Sequence, residues 1–149
     1  MSMSDYMEQA LKEAEKAKSR GEVPIGAVIV APNGEVIARA GNRCEEDHDP
    51  SAHAEILAIR EAGRALGSAR LIDCDLYVTL EPCTMCATAI SFARIRRLYF
   101  GAYDPKGGGV DHGACFYNQP TCHHKPEVYG GLRETDCADL LTSFFKEKR

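Results

Sequence analysis

The chain has 149 residues, 44% hydrophobic and 27% charged, proportions of a globular protein that exclude a disordered or fibrous chain. The length predicts a single domain, 1–149, large enough to bury a core without disulfides. With 18 basic against 22 acidic residues the net charge is −4, which excludes a protein that coats nucleic acid by bulk charge. Met7, Ala10, Leu11, Ala14 and Ala17 recur at steps of three and four, so the chain opens with an amphipathic helix stopping near Gly21. Apolar runs at 25–30 and 35–40 flank Ala31-Pro32-Asn33-Gly34 and predict a hairpin. Asp49-Pro50-Ser51 predicts the start of a second helix, with Ile56, Ile59, Ala62 and Leu66 facing inward and Gly67 as its stop. Residues 76–80 read as a strand, and Pro82 suits the first turn of a helix running to about Ala93. Another strand covers 98–103. The Gly- and Pro-rich stretch 104–126 is too long for a plain loop unless it is functional or hides a short helix. Val128 and Tyr129 form a last strand, and Leu132, Leu140, Leu141, Phe144 and Phe145 the core face of a final helix. This order predicts an α/β fold, one sheet with helices on both faces.

No apolar run approaches the roughly 20 residues of a membrane span. The polar, Lys/Glu-rich start does not read as a signal peptide. Seven cysteines, an odd number, argue against a secreted disulfide framework. The expected compartment is therefore a reducing one, the cytoplasm, where close cysteines mean metal or redox chemistry.

Two short segments carry the chemistry. His53-Ala54-Glu55 lies near one helix start, and Pro82-Cys83-Thr84-Met85-Cys86 lies at the next strand-to-helix junction. Zinc favours Cys sulfur and His nitrogen in a tetrahedral shell, and Cys83 and Cys86 share a helical face. Three soft ligands, His53, Cys83 and Cys86, leave one position for water, with Glu55 placed as a proton carrier. Two other readings stand beside this one: a thioredoxin-like redox pair, and a closed structural site with Cys74, His48 or Cys44 as fourth ligand. Each segment alone is weak; together, with the proline ahead of the first cysteine, they are specific.

These segments resemble the zinc-dependent cytidine/nucleoside deaminase superfamily, whose signature they match. That resemblance implies a three-layer α/β/α sandwich, cytidine-deaminase-like, around a five-stranded mixed sheet. A closer resemblance, to the bacterial tRNA-specific adenosine deaminases, rests on Gly21-Glu22-Val23-Pro24-Ile25-Gly26-Ala27-Val28, Gly41-Asn42-Arg43, His48-Asp49-Pro50-Ser51-Ala52-His53-Ala54-Glu55-Ile56 and Leu80-Glu81-Pro82-Cys83-Thr84-Met85-Cys86. It extends from about residue 5 to the end. It implies hydrolytic conversion of adenosine to inosine at the wobble position of a tRNA anticodon, that of an arginine tRNA with anticodon ACG, by a homodimer. It also implies one Zn2+ per subunit on His53, Cys83 and Cys86, Glu55 as proton shuttle, and Asn42 on the purine base. Substrate contacts are further implied at Ala54, Asp104, Lys106 and His124. The expected partner is the tRNA anticodon stem-loop, with neither DNA nor membrane. Segment 104–126 departs from the family pattern, and the tail stops soon after Phe145.

Two basic clusters are candidate RNA patches: Arg94, Arg96 and Arg97, and the tail Lys146, Lys148 and Arg149. Several residues read as structural instead. Cys122-His123-His124 reads as a surface or RNA-facing loop and not as a second metal site. His112 reads as exposed, Met85 and Phe92 as packing, and Cys44, Cys74, Cys115 and Cys137 as small semi-buried side chains. Residues 107–109 lack the Lys-Ser/Thr of a phosphate loop. A free-base or nucleoside deaminase and a non-catalytic zinc module are the rival functions.

Overall fold

The structure is a computed structural model that describes residues 1–148; Arg149 of the tail cluster lies outside the described residues. Helix α1, Met3–Ser19, begins with a capping box. Ser2 Oγ accepts from the Asp5 amide and the Asp5 carboxylate accepts from the Ser2 amide, so each side chain satisfies the other residue's orphan donor. Its buried stripe is Met7, Ala10, Leu11, Ala14 and Ala17, with Tyr6 at the edge. Strands β1, Gly26–Val30, and β2, Val36–Gly41, form the antiparallel hairpin. There follow α2 (Ala54–Leu66), β3 (Asp75–Leu80), α3 (Thr84–Phe92), β4 (Arg97–Ala102), β5 (Glu127–Gly130) and α4 (Glu134–Glu147). A short 3-10 turn at Phe116–Asn118 interrupts the long segment after β4, as its length required.

The five strands lie in the order β2-β1-β3-β4-β5. β1 is antiparallel to β2 and β3, while β3, β4 and β5 run parallel, so the sheet is mixed. Alternate residues of the central strands feed two cores. Ala27, Ile29, Leu76, Val78, Leu98 and Phe100 pack with Ala54, Ala58 and Ala62 of α2 and Ala87 and Ile90 of α3. Val28, Val30, Tyr77 and Tyr99 face the other way, onto Tyr6, Met7, Ala10 and Leu11 of α1 and Cys137 of α4. Helices on both faces explain why every residue of β1 is buried. The expected three-layer arrangement is the one observed.

Local expectations fail in several places. α2 begins at Ala54, not at Asp49–Ser51, because Asp49 turns its carboxylate back onto the Ser51 amide and hydroxyl. Its buried face is Ala54, Glu55, Ala58 and Ala62; Ile56 and Ile59 are half-buried and Leu66 is exposed. Small residues bring this helix close to the sheet, so the larger apolar side chains sit on its flank. Pro82 precedes the N-cap of α3 instead of opening its first turn. In α4 only Cys137 and Phe144 are buried, and Phe145 is exposed. Met85 and Phe92, read as packing, are also exposed.

Candidate metal centre and active site

Helices α2 and α3 pack against the same face of the sheet and meet side by side. Their N-caps are His53 and Cys83, both in extended backbone, and neither side chain caps its own helix. Ser, Thr, Asp or Asn would normally turn inward there to accept an amide. An imidazole and a thiol instead leave each helix start and face one another. The Cys83 and Cys86 sulfurs lie 3.6 and 3.5 Å from His53 Nδ1. Bond lengths of about 2.3 Å to sulfur and 2.0–2.1 Å to nitrogen at tetrahedral angles require N···S edges of about 3.6 Å. The three side chains therefore fit a zinc ion, with Nδ1 as the imidazole donor. Among the described residues this is the group of metal-binding type, its ligand atoms within 4.8 Å of one another. Cys44, His48 and Cys74 do not join it, so the closed four-ligand reading finds no fourth side chain. Nor does Cys122-His123-His124 assemble a second group.

The local electrostatics suit a cation. Hydrogen bonding from Cys86 holds the Cys83 thiol down to about 4 against the cost of its burial, and His53 adds to the effect. Cys86 is pushed up, first by that same hydrogen bond and then by burial, so the pair retains one proton. His53 is raised above its ordinary value by the Cys83 contact. A bound metal ion removes the remaining thiol proton outright.

Glu55, in the first turn of α2, is 4% exposed, and burial lifts its carboxyl to about 7. A group poised there both takes and returns a proton near neutrality. Asn42, at the end of the hairpin, is also buried. Its Oδ1 accepts from the Ala54 amide at 2.8 Å, capping α2 from a distant part of the chain. Ala54 thus spends its one donor on aiming Asn42. The Asn42 Nδ2 has no partner among the described residues, which leaves it available to a ligand.

Two further buried carboxylates hold the loops that flank the site. Glu22 accepts from the Glu45 and Glu46 amides, fixing the turn between β2 and α2. Glu81 accepts from the amides of Asp104, Val110, Asp111 and His112 and bonds His112 Nδ1 at 2.8 Å. Burial disfavours its charge, but those donors outweigh burial and hold its carboxyl below the ordinary range. His112, read as exposed, is instead a partner of Glu81. Sequence reasoning missed both roles; the one available signal was an acidic residue directly ahead of Pro82-Cys83. The glycines at 108 and 109 exist for close approach and not for phosphate. A Cβ at Gly109 would sit 2.5 Å from the Thr84 amide, and one at Gly108 would strike Glu81.

Asp104 and Lys106 ride on this loop, where Asp104 Oδ1 accepts from the Lys106 and Gly107 amides. His124 lies elsewhere. Its ring bonds the Ile95 carbonyl and its own carbonyl accepts from Ser91, at the far end of α3, about 12 Å along the axis from Cys83. The Arg94–Arg97 cluster is also remote, because Arg97 pairs in register with Asp75 at the start of β3 and Cys83 follows its end. Arg96 forms a two-pronged bond with Asp75, Arg97 pairs with Glu127, and Arg94 adopts positive φ just past the C-cap of α3. Arg96 and Arg97 are thus tied to carboxylates of neighbouring strands.

Residues 1–102 match the family model described as the cytidine and deoxycytidylate deaminase zinc-binding region. The chain is 64% identical over 144 residues to a tRNA-specific adenosine deaminase of Agrobacterium fabrum, covering 97% of this chain and 94% of that one. It is 49% identical to a tRNA-specific adenosine deaminase of Bacillus subtilis over 97% of this chain and 89% of that one. A solved structure from studies of A-to-I editing by tRNA deaminases at the wobble position superposes with TM-score 0.91 at 63% identity, covering 93% of this chain and 99% of the other. A guanine deaminase structure from Bacillus subtilis superposes with TM-score 0.68 at 32% identity, over 87% and 85% of the two chains.

Proposed function

The chain belongs to the zinc-binding cytidine and deoxycytidylate deaminase family, among its tRNA-specific adenosine deaminases, and from that membership we propose that it deaminates the wobble adenosine of an arginine tRNA with anticodon ACG. It is a zinc-dependent deaminase. The observation that carries the reading is the meeting of three soft donors at two helix starts with a buried carboxyl, Glu55, beside them. His53, Cys83 and Cys86 hold one zinc ion per subunit. Zinc held there supplies Lewis acidity that brings the pKa of attacking water to about 7.

Glu55 does the proton work. Its carboxylate takes a proton as water adds to C6 of adenine, and delivers a proton to ring N1. It then takes the proton of the new C6 hydroxyl and gives it to the amino group as the C6–N bond breaks and the C6 carbonyl forms, so adenosine and water become inosine and ammonia. One carboxyl suffices because it alternates between base and acid. Asn42 Nδ2 donates to the purine ring, while Ala54 fixes the amide through Oδ1. The adenine leaves the anticodon stack to reach a buried site. Asp104 and Lys106, on the loop held by Glu81, contact the RNA around it. The protein acts as a homodimer of single-domain subunits in the cytoplasm on the tRNA anticodon stem-loop, and not on DNA. Among the described residues no helix is long and apolar enough to cross a membrane.

The test incubates the zinc-loaded protein with this tRNA and, separately, with free guanine, cytidine and adenosine. Inosine at the wobble position supports the reading. Ammonia released only from the small molecules would replace it with a free-base or nucleoside deaminase, the activity in the name of the 32%-identical relative.

A further inference from the structure

We propose that an arginine-lined groove along the outer edge of β2 carries the phosphodiester backbone of the RNA next to the reacting nucleotide. The inference rests on the tRNA reading above and extends it by assigning the surface that grips the strand. The groove, about 380 Å³, collects Arg20, Arg39, Arg43, Arg60 and Arg64 from α1, β2, the β2–α2 turn and α2. It shares Arg39 and Glu13 with a second groove of about 670 Å³ along α1, which adds Lys12 and Lys16. Seven cations face four carboxylates over this surface, in a chain whose net charge is −4. The local sign is therefore opposite to that of the whole molecule.

The pairing pattern identifies the cations open to a ligand. Arg20 and Arg43 are tied to Glu46, and Arg43 also to Asp47. Arg60 and Arg64 are exposed, and among the described residues neither pairs with a carboxylate within 4.0 Å. Among the described residues the Arg39 guanidinium donates only to the neutral Gln9 Oε1, at 3.1 Å. Four residues apart on α2, Arg60 and Arg64 project from one face about 6 Å from each other. Their planar forks suit bidentate phosphate contacts better than any other side chain.

Position completes the case. Gly41 and Arg43 line the groove and flank Asn42, which caps α2 beside His53. The cationic track thus begins one residue from the site and runs along α2 away from it. RNA held by its backbone needs such a track, because a single extruded base supplies few contacts and phosphates supply most of the affinity.

The test measures binding of the arginine tRNA in a zinc-loaded Glu55→Ala background, which prevents turnover, between about 50 and 200 mM salt. Arg60→Ala/Arg64→Ala and the triple variant adding Arg39→Ala are compared with their parent. An Arg94→Ala/Lys125→Ala control removes two cations outside the groove. Thermal midpoints verify folding, and Arg60→Lys/Arg64→Lys restores charge without the fork. We expect the triple variant to bind at least tenfold more weakly at low salt. Its plot of log affinity against log salt becomes shallower by about one for each phosphate that is no longer neutralised. In the Glu55-containing enzyme KM rises and kcat at saturation holds. The control behaves as parent and the Lys variant recovers part of the affinity. A triple variant with parental affinity and salt slope overturns the groove and leaves the tRNA reading standing. A parent that neither binds this tRNA nor forms inosine overturns both.

Discussion

Glu55 occupies the second residue of α2, where the helix dipole favours its anion and burial favours its acid form. The balance leaves its carboxyl at about 7, suited to giving and taking a proton. Glu55→Ala should keep zinc at parental stoichiometry, measured by metal analysis, and lose at least about 100- to 10,000-fold in turnover. Near-parental turnover would remove Glu55 from the reaction. Glu81 acts differently, as the acceptor that gathers four amides and one imidazole. Its folded pKa lies below the ordinary value of 4.5, so the folded chain binds fewer protons there than the unfolded one. The stability it contributes is full above that value and is lost as pH falls through the lowered one. Denaturant titrations of Glu81→Gln between pH 3 and 7 should show lower stability than the parent at neutrality, with the gap narrowing below about 4.5. A gap of constant size across that range would show that the charge of Glu81 contributes nothing.

At the scale of elements, two helix starts give up their local caps so that His53 and Cys83 can face each other. For α2 the loss is offset by Asn42 from the hairpin, a contact of the kind worth about 1 kcal/mol. For α3 the loop after β4 closes over the helix start: the Gly109 amide donates to the Pro82 carbonyl at 2.8 Å, and the Tyr117 hydroxyl donates to the Ala87 carbonyl at 2.9 Å. Gly109→Ala puts a methyl carbon 2.5 Å from the Thr84 amide nitrogen, and backbone cannot yield as a flexible side chain can. We expect it to cost about 1–3 kcal/mol of stability, read by denaturant unfolding, and to speed zinc loss to a competing chelator. Parental zinc retention in this variant would mean that the loop does not brace Cys83.

For the whole molecule, the metal links α2 and α3 on one face of the sheet, so its binding free energy is also folding free energy. A ligand at a thousand times its Kd adds about 4 kcal/mol. In a domain this size each kcal/mol moves the midpoint by about 2–4 °C. Chelation should therefore lower the thermal midpoint by about 10 °C, and added zinc should restore it. An unchanged midpoint would show that the two helix starts are held without the ion. Charge is likewise a property of the assembled surface. Arg96 and Arg97, adjacent in sequence, neutralise neighbouring carboxylates, whereas the arginines of the β2 groove come from separate parts of the chain, the end of α1, β2, the β2–α2 turn and α2.

Much of the protein was legible in its residue order. Among the described residues, periodicity, apolar runs and turn residues located the four helices and five strands to within a few positions, the start of α2 excepted, and His53, Glu55, Cys83 and Cys86 stood out because metal chemistry restricts ligand type and spacing. What the order could not reveal depends on partners far apart in the chain. The start of α2 escapes a local reading because its cap, Asn42, comes from the hairpin and not from the residues just before the helix. The roles of Glu22, Glu81 and His112 were invisible for the same reason: a buried carboxylate is explained only by the amides that surround it. Local sequence decides which side chains are available and on which face of a helix or strand they lie. Only the folded sheet decides which of them meet, because hydrogen bonds and ion pairs act over a few ångströms of space, regardless of separation along the chain.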